Sequence, residues 1–270
     1  MTVVLITNDD GIFSDGLLAL ARRFESLADV YIAAPTMEKS AQSHAITIDR
    51  PLRIDPVSLA GLRGVDRAFA IDGTPADCVK LALDSILPKK PDWVISGINL
   101  GANLGQDTLY SGTVSAAMEG VLGGCRAMAI SIHNPANMGY EFETAAEVAA
   151  QVFKQRDEFS FIHRALLNIN VPNVVPKDIK GIRGASLGFR NYDDAYLKRR
   201  DPKGRLYYWL GAQNEAYQPI ENSDCHWVEQ GYAAITVLQP TLFAPELQNR
   251  LDQIQFCHLG DNQTPAGAFS

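Results

Sequence analysis

The chain has 270 residues, 46% hydrophobic and 20% charged, enough for one large α/β domain with a sizeable core. Its net charge of −7 argues against a nucleic-acid polymer as partner, because binding one takes a basic face that releases counterions. Cys78, Cys125, Cys225 and Cys257 form no CxxC pair, no run approaches a membrane span, and the N-terminus enters a strand without a basic leader, so disulfides, zinc and a membrane are unexpected and a cytoplasmic location is expected.

Val3–Thr7 (VVLIT) is a continuous apolar run, and Leu17, Leu18, Ala21, Phe24 and Leu27 recur after it at helical spacing, which predicts strand, loop and helix. Asp29–Ala33 is a second strand ending at Pro35, completing a right-handed βαβ unit. The stretch to Asp72 is less regular; it holds a polar loop, EKSAQS, and a strand-like AITI at 45–48. Thr74-Pro75-Ala76-Asp77 is a capping box with proline at the first helical position, and Val79, Ala82, Leu83 and Ile86 share one face of the helix it opens. Asp92–Ser96 is a buried strand; a long glycine-rich loop, a helix over Thr113–Leu122 and a strand at 127–132 follow. A helix over Glu141–Lys154 and a strand at 166–171 continue the alternation. This order predicts a doubly wound, mostly parallel α/β sheet in three layers, with helices on both faces.

From Gly188 to Gly211 two aromatic-rich segments flank the turn signal DPKG, the pattern of a long β-hairpin. A lone ribbon is only marginally stable, so this protruding arm is expected to pack on another subunit. Residues 1–250 read as a single domain carrying the arm at 188–211, and 251–270 as a loose tail.

In an open α/β sheet the ligand crevice lies beyond the carboxyl ends of the strands. Three polar loops should meet there: TNDDG at 7–11, PTMEKSAQSH at 35–44 and SGINLGANLGQDTLYSGT at 96–113. Asp9 and Asp10 repel each other, and a bare buried carboxylate costs several kcal/mol, so something positive is expected beside them. Two carboxylates with amide and hydroxyl oxygens form a hard donor set that suits Mg²⁺ or Mn²⁺. The competing reading is that one of them merely caps the next helix, although a cap does not need both. Gly97, Gly101 and Gly105 recur every four residues, which by itself requires only close packing or positive-φ turns. Asn99 and Asn103 interleave with them, and Ser111-Gly112-Thr113 opens a helix whose free N–H groups suit a phosphate, while Ser111 serves equally as an N-cap. His44 is a candidate acid or phosphate donor, against the commoner structural role of a lone histidine. His133, His163, His226 and His258 show no metal-ligand spacing.

Taken together, TNDDG, SAQSHAIT, GTPADCVKLAL at 73–83, SGINLGANLG, YSGTVSAAMEG at 110–120, LNINVP at 167–172 and EQGYAAITVLQP at 229–240 resemble the SurE family of survival proteins, metal-dependent 5′/3′-nucleotidases. The resemblance runs in order from residue 3 to about 245. It implies a Rossmann-like sheet with a hairpin arm that assembles a homodimer or homotetramer. It also implies one divalent cation per subunit, held by Asp9, Asp10, Ser40 and Asn99, and phosphate contacts from Asn103, Ser111, Gly112 and Thr113. Two departures stand out: Leu100 occupies a position often polar or basic in the family, and AAITVLQP replaces its more usual ending.

The reaction expected from this resemblance is hydrolysis of nucleoside monophosphates, with Asp9 and Asp10 as the catalytic pair and water as the attacking group. The DxD spacing of aspartyl-phosphate enzymes is absent, which disfavours a carboxylate nucleophile. Two alternatives stay open: a non-catalytic nucleotide- or metal-binding module, and a phosphatase acting chiefly on polyphosphate, for which Arg190, Arg199 and Arg200 are the nearest basic candidates.

Overall fold

The computed structural model describes residues 1–251 and 253, except 60, 61, 63–66, 136–138, 161, 163 and 219; at 190–195 and 211–217 it describes the backbone alone. His163, Cys257, His258, most of the expected tail and the Arg190 side chain lie outside the described residues. The chain divides into two compact units, residues 1–240 and 241–270.

The first unit opens with β1 (Val3–Thr7), α1 (Asp15–Phe24), β2 (Asp29–Pro35), β3 (Ile54–Pro56), β4 (Ala68–Ile71) and α2 (Pro75–Leu81). It continues with β5 (Trp93–Leu100), α3 (Gly112–Leu122), β6 (Arg126–His133), α4 (Phe142–Lys154), β7 (Leu166–Pro172) and β8 (Ile182–Gly184). The arm is β9 (Arg190–Arg200) and β10 (Leu206–Tyr217), and α5 (Asp224–Glu229) and β11 (Ala233–Leu238) complete the unit. In the second unit, α6 (Pro245–Leu251) buries none of its residues.

The main sheet has the order β3-β4-β2-β1-β5-β6-β7-β11-β8. Its centre, from β4 to β7, is parallel throughout; β3 pairs antiparallel with β4, and β11 antiparallel with β7. α1 and α4 cover one face, burying Leu17, Leu20, Phe24, Val148 and Phe153 against it. α2 and α3 cover the other with Cys78, Val79, Val114 and Val121. The three layers expected from the alternation are therefore present. α4 lies on the face of α1 but steps across the sheet in the opposite direction, so its crossover has the opposite hand from β1–α1–β2. The chain leaves β1 for β2 and returns to the other side of β1 with β5, which makes the carboxyl ends of β1 and β5 the switch point of the winding.

Local chemistry explains the boundaries. Ser14 caps α1, and Thr74 with Asp77 forms the complete capping box of α2. α2 ends at Leu81 and passes into a single wider π turn over Ala82–Ile86. AITI at 45–48 is not a strand, and this expectation is corrected. The Thr47 N–H donates to the Asp77 carboxylate at 3.0 Å and the Ala45 carbonyl accepts from Thr74 Oγ1 at 2.7 Å, so backbone groups a ladder would need are committed to the start of α2. Ile46 and Ile48 are left exposed, and the edge position goes to the short β3 instead. β5 runs four residues beyond Ser96, with a break in its pairing to β6 between Ser96 and Asn99 that re-aims its last residues. The arm is longer than DPKG alone implies, reaching Tyr217, and the Asp201 carboxylate closes its turn by accepting from the N–H of Lys203 and Arg205.

Candidate active site

The turn after β1 is built by Asn8. Its Oδ1 accepts the Gly11 N–H at 3.2 Å, while its Nδ2 donates to the Gly11 carbonyl at 3.0 Å and to Ser14 Oγ at 2.7 Å. This closed turn places Asp9 and Asp10 at the switch point. Asp9 is almost fully buried, and its carboxylate accepts from both the backbone N–H and the hydroxyl of Thr113 at the start of α3. Gly112 permits that approach, since a Cβ there would lie 2.8 Å from Asp9 Oδ2. The Asp9 carbonyl accepts from the Lys39 N–H at 2.7 Å, tying the second loop to the first.

Asp10 is partly buried, and its Oδ2 accepts from the Leu100 N–H at 3.3 Å, joining the ends of β1 and β5. Burial pushes the Asp9 carboxyl up from its ordinary value. Burial, then repulsion from Asp9, pushes Asp10 up to about 7. Glu38, on the second loop, adds to both effects. Among the described residues, no ion pair involves Asp9 or Asp10. The pair is thus short of positive charge.

An open cavity of about 240 Å³ lies over this junction, lined by Asp9, Ser40, Asn99, Asn103 and Ser111 among the expected residues, with Leu100 and Tyr110 on its walls. Asn99 donates its amide N–H to the Gly101 carbonyl at 2.8 Å, which leaves its carbonyl oxygen as a donor to a cation. Ser40 is exposed and donates to Glu38 Oε1 at 2.7 Å. Among the described residues, no group of three His, Cys, Asp or Glu side chains is arranged to hold a metal. A cation here would combine two carboxylates with neutral oxygens, the chemistry of Mg²⁺ or Mn²⁺. The residues present fit such an ion.

Asn103 is held from behind. Its Nδ2 donates to Ser131 Oγ at 2.7 Å, its N–H to Asn170 Oδ1 at 2.8 Å, and its carbonyl accepts from Asn168 and Asn170. Ser111 Oγ accepts the Val114 N–H as the N-cap of α3, and its own hydroxyl proton remains to be donated. Both readings of Ser111 are compatible with this geometry. Thr113 has no exposed surface and contacts Asp9 rather than the cavity.

His44 is placed elsewhere. Its Nε2 lies 3.0 Å from Glu119 Oε2 on α3, and Lys80 Nζ lies 3.3 Å from the other carboxylate oxygen. Those hydrogen bonds, His44 first, hold the Glu119 carboxyl below its usual range. His44 does not line the cavity; it fastens the second loop to α3, while Ser43, which bonds the carbonyls of Leu109 and Tyr110, fastens it to the third loop. Sequence reasoning missed Glu38 and the asparagines behind Asn103. The signal for the latter was present in LLNINV, where two asparagines share one face of an otherwise apolar buried strand.

The fold and the crevice define a doubly wound α/β protein with an acidic, oxygen-lined site at its switch point, facing a helix N-terminus. Residues 4–194 match the family model described as Survival protein SurE, and the chain belongs to that family. It is 44% identical over 243 residues to a protein of a Synechococcus strain named 5′-nucleotidase SurE, spanning 89% of this chain and 93% of that one. It is 50% identical over 217 residues to the 5′-nucleotidase SurE of Desulforudis audaxviator, spanning 78% and 80%. The crystal structure of the SurE protein from Aquifex aeolicus superposes with a TM-score of 0.81 at 36% identity, covering 93% of this chain and 98% of that one.

Proposed function

We propose that this crevice hydrolyses nucleoside monophosphates to nucleoside and phosphate, using one divalent cation per subunit, Mg²⁺ or Mn²⁺, bound by Asp9, Asp10, Ser40 and Asn99. The chain is a phosphate-monoester hydrolase of the nucleotidase kind, in keeping with relatives named 5′-nucleotidase. One observation carries the site assignment: two adjacent acidic side chains, both pushed toward protonation and neither ion-paired among the described residues, stand at the switch point, Asp9 against the N-terminus of α3 and Asp10 against the end of β5.

When bound, the cation supplies Lewis-acid polarisation of a phosphoryl oxygen and a more acidic water. The remaining work falls to the chain. Asn103, the Ser111 hydroxyl and the Gly112 N–H at the start of α3 offer donors to the phosphoryl oxygens from positions fixed by packing. Asp9 is oriented by Thr113, and Asp10 by Leu100. Leu100 and Tyr110, 46% and 64% exposed on the cavity wall, give the nucleoside an apolar surface beside the polar floor.

The arm supports assembly into a homodimer or homotetramer, since Tyr196, Trp209 and Leu210 stand 64%, 65% and 67% exposed on a ribbon paired only with itself. Among the described residues no helix is long and apolar enough to cross a membrane. Phosphate release is measured from nucleoside 5′- and 3′-monophosphates and from polyphosphate, with Mg²⁺, Mn²⁺ or chelator. Metal-dependent release from nucleotides is expected; tight nucleotide binding with no release in either metal would refute the reading.

A further inference from the structure

Asp224 lies in the first turn of α5, fully buried, and takes no part in the proposed chemistry. Its side chain accepts three backbone N–H groups. Oδ1 accepts from Gly188 at 2.7 Å and Cys225 at 2.8 Å; Oδ2 accepts from Gly105 at 3.0 Å. Gly105 follows Asn103 closely in the loop that lines the cavity with Asn103, Tyr110 and Ser111, and Gly188 stands at the base of the hairpin arm. One carboxylate therefore bridges two segments far apart in sequence.

The junction leaves no slack. Gly105 has φ of +54°, and a Cβ on it would lie 2.8 Å from the Gly188 carbonyl oxygen. A Cβ on Gly188 would lie 2.7 Å from both Asp224 Oδ1 and Cys225 Sγ. The backbones at 105 and 188 thus lie too close for a side chain on either, and the arm's base packs directly on residue 105. On the other side of the cavity, Asn168 and Asn170 fix Asn103, and Ser43 fixes Tyr110. Asp224 supplies a further anchor between those two points, at the Gly105 N–H.

We infer that Asp224 is a positioning residue that registers the phosphate-binding loop against the base of the hairpin arm. The inference rests on the reading of Asn103 and Ser111 as phosphate contacts. It assigns Asp224 no contact with substrate. Loss of the anchor releases the Gly105 N–H from the base of the arm while leaving Asp9, Asp10 and Asn99 in place.

The substitution Asp224→Asn tests this in a directional way. An asparagine that keeps its oxygen at the Oδ1 position retains the bonds to Gly188 and Cys225 but turns its NH₂ toward the Gly105 N–H, breaking the loop bond alone. Three quantities are measured on the full chain: Mn²⁺ binding, binding of inorganic phosphate in saturating Mn²⁺, and hydrolysis of adenosine 5′-monophosphate. Phosphate binding should weaken about tenfold and kcat/KM fall at least as much, with Mn²⁺ affinity changed less than twofold. Unchanged phosphate binding, or equal weakening of phosphate and Mn²⁺ as a general loss of structure produces, overturns the inference. Should Asp224→Asn fail to fold, Gly188→Ala, which crowds the same carboxylate from the arm, should give the same split, and a folded Gly188→Ala with parental phosphate affinity overturns it. If the parent binds phosphate but releases none from the nucleotide, the nucleotidase reading fails while the split between phosphate and Mn²⁺ still decides the role of Asp224.

Discussion

Asp10→Asn should make the metal-free protein more stable while abolishing its response to metal. The Asp10 carboxyl titrates at about 7 in the fold, against an ordinary 3.8. The native state therefore keeps a proton that the unfolded chain releases. The sign follows directly: nothing is lost below the unfolded value, stability falls as pH rises above it, and the loss is complete once pH passes the folded value. The gap corresponds to a ceiling of about 4 kcal/mol. The amide cannot ionise, and its oxygen can still accept from the Leu100 N–H. Urea unfolding in chelator should show a gain approaching that ceiling near pH 8, shrinking to less than half of it near pH 5. In saturating Mn²⁺ the order should reverse, because binding stabilises the parent and not the variant. A metal-free variant no more stable than the parent at pH 8, or a gain independent of pH, would refute the argument.

Gly112→Ala places a Cβ 2.8 Å from Asp9 Oδ2 and should cost about 10- to 100-fold in Mn²⁺ affinity, read by titration, with the Ser111 cap intact. Tyr110→Ala should raise KM for a nucleoside monophosphate about tenfold and leave KM for ribose 5-phosphate nearly unchanged; equal effects on both would remove the ring from nucleoside contact. His44→Gln should keep kcat within a few-fold, since the imidazole is engaged with Glu119. A drop of about 10²-fold or more would return His44 to the role of acid. Deleting Asp201–Gly204 at the arm's turn should lower the assembled mass in light scattering more than it lowers phosphate release; a variant that keeps the parental mass would contradict an assembly role for the arm.

The core elements were legible because each rests on local signals. VVLIT and DWVIS are apolar runs that only a buried strand accommodates, and TPAD satisfies its own helix start within four residues. AITI misled because its β-branched residues look strand-like, whereas Asp77 and Thr74, about 30 residues away, bind the backbone groups a strand would need. For the same reason β3, β4, β8 and β11 escaped notice: β3 and β8 are three-residue edges, β4 has four residues, and all four depend on a neighbour in space.

The site divides along similar lines. Residue chemistry alone marked Asp9 and Asp10, because two adjacent carboxylates after a buried strand exceed what a cap needs, and the Ser111-Gly112-Thr113 helix start, because a small hydroxyl-bearing N-terminus beside them suits a phosphate. Tertiary structure decided the rest. It turned Thr113 onto Asp9, drew His44 to Glu119 and put Asp224 beneath the loop at Gly105, none of which has a local signature. A sequence determines which groups cannot be buried alone; only the closed chain decides which partner, often a hundred residues away, satisfies each of them.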